Sequence, residues 1–163
     1  MLWISQNELV GYETAVSEME HRVAGIHAGT DEEAVWLVEH PPLYTAGSSA
    51  NPKDLLNPRF PVFETGRGGQ YTYHGPGQLV GYPILTLADH AAGEMPSTRA
   101  HVLNIEHLVI EALADLGLAG ASVIEGSPGV WLDADGVLVM SHPTDDRSGP
   151  IAAPLDGEYH AGD

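Results

Sequence analysis

Between Arg67 and Tyr82 the chain reads RGGQYTYHGPGQLVGY. Arg67 brings a permanent cation, Thr72 and Tyr73 hydroxyls, Gln70 and Gln78 amides, and His74 an imidazole, a set that could converge on a carbonyl or a carboxylate. Gly66, Gly68, Gly69, Gly75, Gly77 and Gly81 lie among them, too densely for an ordinary hairpin. Such a backbone can come close to a ligand, so the residue types point to acyl-group binding in a loop shaped by the main chain. The bland alternative is a glycine-rich turn between two strands with an exposed arginine. A phosphate-binding loop fits less well, because no helix start follows the glycines and no lysine follows the last of them.

A loop of this kind needs rigid neighbours. Phe60 to Thr65 and Leu79 to Leu87 read as the strands that flank it. Upstream, Trp3-Ile4 starts a short strand, and Tyr12, Ala15, Met19, Val23 and Ile26 predict a helix over 11–28 stopped by Gly29. The apolar run Ala34 to Val38 predicts a buried strand over 33–39, ended by His40-Pro41-Pro42. His40 either borders the binding loop or closes that strand. Residues 43–59 read as loop with at most one helical turn near Asp54 to Asn57. Val102, Ile105, Val109, Ala112, Leu113 and Leu116 form one stripe of a helix over 98–116, capped by Ser97 and stopped by Gly117. Short strands follow at 121–124, 130–132 and 137–140, and beyond Ser141 the pattern dissolves into proline, glycine and charge. Trp36 and Trp131 sit in strands and read as core. Strands and helices mix without regular alternation, which favours an α+β fold.

Composition narrows the partners. The 163 residues carry 23 acidic against 6 basic side chains, a formal net charge of −17 that repels nucleic acid and anionic membranes. There is no cysteine, hence no disulfide, thiolate metal site or thiol nucleophile. His101 and His107 share the long helix, but a spacing of six sets them apart around it, so no metal site is expected. Without a signal-like N-terminus or a long apolar run, the expectation is a soluble cytoplasmic protein.

The longer string RGGQYTYHGPGQLVGYPIL resembles the signature of the lipoyl(octanoyl) transferase family, lipoate-protein ligase B. Glu39-His40-Pro41-Pro42-Leu43-Tyr44-Thr45-Ala46-Gly47 before it and Gly129-Val130-Trp131-Leu132 after it agree in order and spacing, so residues 1–133 resemble that family. The resemblance implies a mixed sheet with packed helices, shared with biotin and lipoate protein ligases. It also implies cofactor-free transfer of an octanoyl group from octanoyl-acyl carrier protein to a lysine of lipoyl domains. Those acceptors are the 2-oxoacid dehydrogenase complexes and the glycine cleavage H protein. Carried over by position, the acyl-substrate site falls on Arg67, Gly68, Gly69, Gln70, Tyr71, Thr72, Tyr73, His74 and Gly75. Backbone N–H groups there would face the thioester carbonyl, a kind of contact that lowers a barrier by ~3 kcal/mol. His74 would orient that carbonyl or the incoming amine.

Members of that family attack the thioester with a cysteine whose pKa a lysine lowers. The lysine's place after Gly129-Val130-Trp131 falls at Pro150, within Ser148 to Pro154, and no cysteine follows. No catalytic residue is therefore assigned. The expectation is an incomplete octanoyltransferase-like domain over 1–140, inactive as written, with an irregular or disordered tail over 141–163. A shortened gene, a frameshift near Val137 or a divergent paralogue would each produce it. Ser127, Ser141 or Ser148 beside His142 reads as solvated loop rather than a substitute nucleophile. Lys53, the one lysine, sits in an exposed turn, so an ATP-dependent ligase would lack its phosphate-facing cation. The rival reading is a non-catalytic module that holds a medium-chain acyl group. An acidic carrier protein would need a local basic patch to dock on so acidic a chain.

Overall fold

The computed structural model describes residues 1–88, 97–124, 127–132, 138–141 and 151–152. In chain order the elements are β1 (Leu2–Leu9), α1 (Tyr12–Ala28), β2 (Ala34–Glu39), β3 (Leu43–Ala46), β4 (Leu55–Asn57), β5 (Val62–Glu64), β6 (Tyr71–His74), β7 (Val80–Ile84), α2 (Thr98–Asp115), β8 (Ala121–Ile124), β9 (Ser127–Leu132), β10 (Leu138–Ser141) and β11 (Ile151–Ala152). The fold is α+β, as expected. Its contacts define two units, the first Met1–Thr45 with Arg59–Glu64 and Thr72–Thr86, the second Ala46–Pro58 with Thr65–Tyr71 and Leu87–Asp163.

In the first unit β2 lies between β1, parallel to it, and β7, antiparallel. Ala34, Trp36 and Val38 are buried while Val35, Leu37 and Glu39 are half-covered, the alternation of a strand with one face on the core. Val10, Ala15, Trp36 and Val38 make that core, flanked by Ile4, Met19, Val80 and Tyr82. Trp36 is thus a core residue, as its strand position predicts. Gly29 ends α1 in the left-handed region at φ 72°, its N–H donating to the Ile26 carbonyl at 3.1 Å while Thr30 N–H reaches Gly25 O at 2.9 Å. A second sheet runs β5-β3-β6, with all four residues of β3 buried.

Three expectations change here. The N-terminal strand spans Leu2–Leu9 rather than Trp3-Ile4; as a sheet edge it leaves most side chains exposed, so Ser5 to Glu8 need no apolar alternation. Residues 43–59 are not loop but hold β3, a 3₁₀ turn at Pro52–Asp54 and β4. That turn is set by the Asn51 side chain, which accepts from Lys53 N–H at 3.1 Å. Within the glycine-rich stretch, Tyr71–His74 is strand β6, and the flanking strands shorten to Val62–Glu64 and Val80–Ile84.

In the second unit α2 packs on the antiparallel sheet β10-β9-β8. The Ser97 hydroxyl accepts from Ala100 N–H at 3.4 Å at its start, and Gly117, at φ 85°, follows its end. Of the expected stripe, Val102, Ile105, Val109 and Leu113 are half-buried, whereas Ala112 and Leu116 face outward. The buried residue of the helix is Glu106, 3% exposed, whose Oε1 accepts the Gly129 N–H at 2.6 Å and ties α2 to β9. Glu106→Leu strands that N–H and is expected to lower the unfolding free energy by about 1–3 kcal/mol in a urea titration.

Ile151 in β11 pairs in parallel with Leu55 in β4, so the stretch expected to be irregular contains a short strand. His142, Ser148 and Pro150 lie outside the described residues. Among those described, no helix is long and apolar enough to cross a membrane.

Candidate functional site

The nine predicted site residues divide between the two units, Arg67 to Tyr71 in the second and Thr72 to Gly75 in the first. In the second unit the loop is laced to residues 47–49. Gly47 N–H donates to Gln70 O at 3.1 Å, Ser48 N–H to Arg67 O at 3.0 Å and Ser49 N–H to Gly69 O at 3.0 Å. Three loop carbonyls are thereby turned onto one neighbour. Among the described residues no backbone carbonyl accepts from the N–H of Gly68 or Gly69. Gly69 adopts φ 83°, and a Cβ on Gly47 would fall on the carbonyl oxygens of Gly68 and Gly69, so the approach admits only glycine. Arg67, half-buried, folds back with Nη1 on Gly68 O at 3.0 Å and so braces its own loop.

In the first unit, Tyr73 packs against Tyr44 and Phe60 with ring centroids 5.6 and 5.9 Å away, and its hydroxyl lies over Gly75, where a Cβ would not fit. Burial raises the Tyr73 phenol above its ordinary range. It does the same to Tyr44, with Tyr73 adding to the rise and Arg59 opposing it. Tyr44 is fully buried and its hydroxyl has no hydrogen-bond partner among the described residues. Tyr44→Phe removes that oxygen at constant shape and is expected to raise the unfolding free energy by about 1 kcal/mol, read as a higher melting temperature.

His74 contacts Gln78 Oε1 through Nδ1 at 2.7 Å and Thr45 Oγ1 through Nε2 at 3.3 Å. Residues 75–78 form a turn closed by Gln78 N–H on Gly75 O at 3.1 Å, with Gly77 at φ 90°. The Glu39 carboxylate accepts the Gly77 N–H at 2.7 Å. His40, also buried, donates from Nδ1 to the Val10 carbonyl at 2.6 Å and accepts the Tyr82 hydroxyl at Nε2, 2.7 Å away. His40 is therefore a structural clamp that joins the end of β2 to β7, and it both closes its strand and borders the loop. Its ring meets that of His74 edge-on at 5.9 Å. Thr45, Ser48, Ser49 and Glu39 were not singled out as functional; Glu39 and Thr45 fall in the string Glu39 to Gly47 that accompanies the loop.

The second unit offers the backbone donors of Gly68 and Gly69, the first an aromatic cluster and one oriented imidazole, and the sequence holds no cysteine. The family model of the lipoyl protein ligase A/B catalytic domain matches residues 12–142. The octanoyltransferase of Sphingopyxis alaskensis is 52% identical over 131 residues, 80% of this chain and 58% of that protein. That of Paramagnetospirillum magneticum is 50% identical over 135 residues, 82% and 61% of the two chains. That of Jannaschia sp. is 55% identical over 132 residues, 80% and 59%. The chain thus spans about three fifths of the length of these relatives. With the loop and its bracing inside the matched region, the chain belongs to the lipoyl protein ligase A/B catalytic domain family.

Proposed function

We propose that these residues form the acyl-binding part of an octanoyltransferase. That enzyme moves an octanoyl group from acyl carrier protein to a lysine of a lipoyl domain, in lipoate biosynthesis. Arg67 to Gly75 hold the acyl donor. Gly68 and Gly69 N–H groups face the thioester oxygen as it gains charge. The observation that supports this most directly is the inward turn of the loop carbonyls onto residues 47–49, which leaves N–H groups for a ligand. No cysteine is present to form an acyl-enzyme, so this chain binds the donor and does not become acylated. The acceptors are the lipoyl domains of 2-oxoacid dehydrogenase complexes and the glycine cleavage H protein.

Octanoyl transfer from octanoyl-acyl carrier protein to an isolated lipoyl domain, followed by radiolabel, tests this. The expected result is saturable binding of the donor with no octanoylated product. Turnover would show that another group replaces the thiol, and absence of binding would remove the acyl-site assignment.

A further inference from the structure

The first-unit sheet β1-β2-β7 ends on β1, whose outer side meets no other strand among the described residues. Leu2 N–H donates to the Glu33 carbonyl at 2.7 Å, and Leu2 to Ser5 run in step with Ala34 to Leu37 of β2. With Leu2 turned toward β2, the two-residue period of a strand leaves the N–H and carbonyl groups of Trp3 and Ser5 on the outer side. Sheet edges are commonly closed to other chains by charge or proline, and Leu2 to Asn7 carry neither. Beside this edge, between β1 and α1, lies a cavity of about 190 Å³. Ile4, Val10 and Trp36 give it an apolar lining, and Thr14, Glu18 and Arg22, spaced four apart along α1, form its other wall. Arg22 is engaged within that wall, with Nη2 3.9 Å from the Glu18 carboxylate and Nη1 donating to the Glu32 carbonyl at 3.3 Å.

We propose that β1 and α1 form a docking groove for an extended basic peptide segment, which adds to the sheet as a strand antiparallel to β1 and places one aliphatic side chain in the cavity. Trp3 and Ser5 supply main-chain hydrogen bonds that any sequence can use. The choice of sequence comes from the residue opposite Ile4, which shares a sheet face with Trp36 and lines the cavity with it. Charge sets the rest. Glu8 on β1 and Glu18 on α1 outnumber Arg22, and the chain as a whole carries −17, so a cationic segment is drawn in and an acidic one repelled. A second copy of the chain would bring the same net charge and is the poorer occupant. The groove uses none of the residues assigned to the acyl donor.

The test is fluorescence anisotropy of a dye-labelled peptide, Lys-Thr-Leu-Thr-Lys capped at both ends, titrated with the full chain at about 0.15 M salt. Saturable binding is expected. Changing the peptide's leucine to glycine, its lysines to glutamates, or methylating the two threonine nitrogens that face Trp3 and Ser5 is each expected to weaken binding about tenfold or more. On the protein, Ser5→Pro removes one outward donor and Thr14→Trp fills the cavity from the exposed side of α1, and each is expected to cost about tenfold with an unchanged circular dichroism spectrum. The methylated peptide meets the native chain, so that arm stands even if Ser5→Pro fails to fold. No saturation by about 1 mM chain overturns the proposal, as does equal binding of the methylated or the glutamate peptide. Sedimentation showing a dimer of the native chain that Ser5→Pro dissolves would also overturn it, by giving the edge to a second copy.

Discussion

His40→Ala is expected to lower the unfolding free energy by about 3–5 kcal/mol, the largest stability effect of any single change in the first unit. The imidazole is fully buried and satisfies two groups, the Val10 carbonyl and the Tyr82 hydroxyl. Its removal leaves both without a partner and opens a cavity against Tyr12, whose ring meets His40 edge-on at 5.9 Å. Guanidinium unfolding checks the magnitude. His40→Gln, which can reach only part of both contacts, is expected to fall between. The same clamp predicts a limit at high pH. Burial first, and Tyr12 second, raise the Tyr82 phenol well above its ordinary 10.0, so the folded state favours the neutral hydroxyl. That contribution is complete below about pH 10 and is lost as pH climbs toward the raised folded value. A pH series of unfolding midpoints is expected to fall there, and less steeply for Tyr82→Phe.

The second large effect concerns binding. Gly47→Val is expected to weaken octanoyl-acyl carrier protein by about a hundredfold, because even its Cβ would displace the carbonyls of Gly68 and Gly69 and with them the donors beside them. Gly66→Ala is the control: a Cβ there meets nothing within 4 Å, and binding is expected to be unchanged. Titration calorimetry with both variants separates a loop held in one shape by Gly47 from a loop that merely tolerates substitution.

What could be read in the sequence was local. Both helices have their stops just beyond the apolar pattern, Gly29 three residues after Ile26 and Gly117 one after Leu116, and Ser97 caps the second, its hydroxyl accepting the Ala100 N–H. Strand β6 was hidden because Tyr71 to His74 sit among glycines that argue for loop, and its pairing partner β3 lies across the chain. Strand β4 could not be read because it pairs with Ile151 and Ala152. The glycine-rich stretch itself was legible as a contiguous string. Its braces were not: Glu39 reaches Gly77 from 38 positions away, and Thr45 reaches His74 from 29. Gly47 carries no chemistry of its own, so only its contact with residues 68 and 69 reveals it.

The central claim, a cradle for the acyl donor without a nucleophile, is tested most directly by native mass spectrometry of the chain with octanoyl-acyl carrier protein. The account predicts a one-to-one complex that falls apart on denaturation, leaving the chain at its unmodified mass. Absence of the complex, or an octanoyl group that stays on the chain after denaturation, would contradict it.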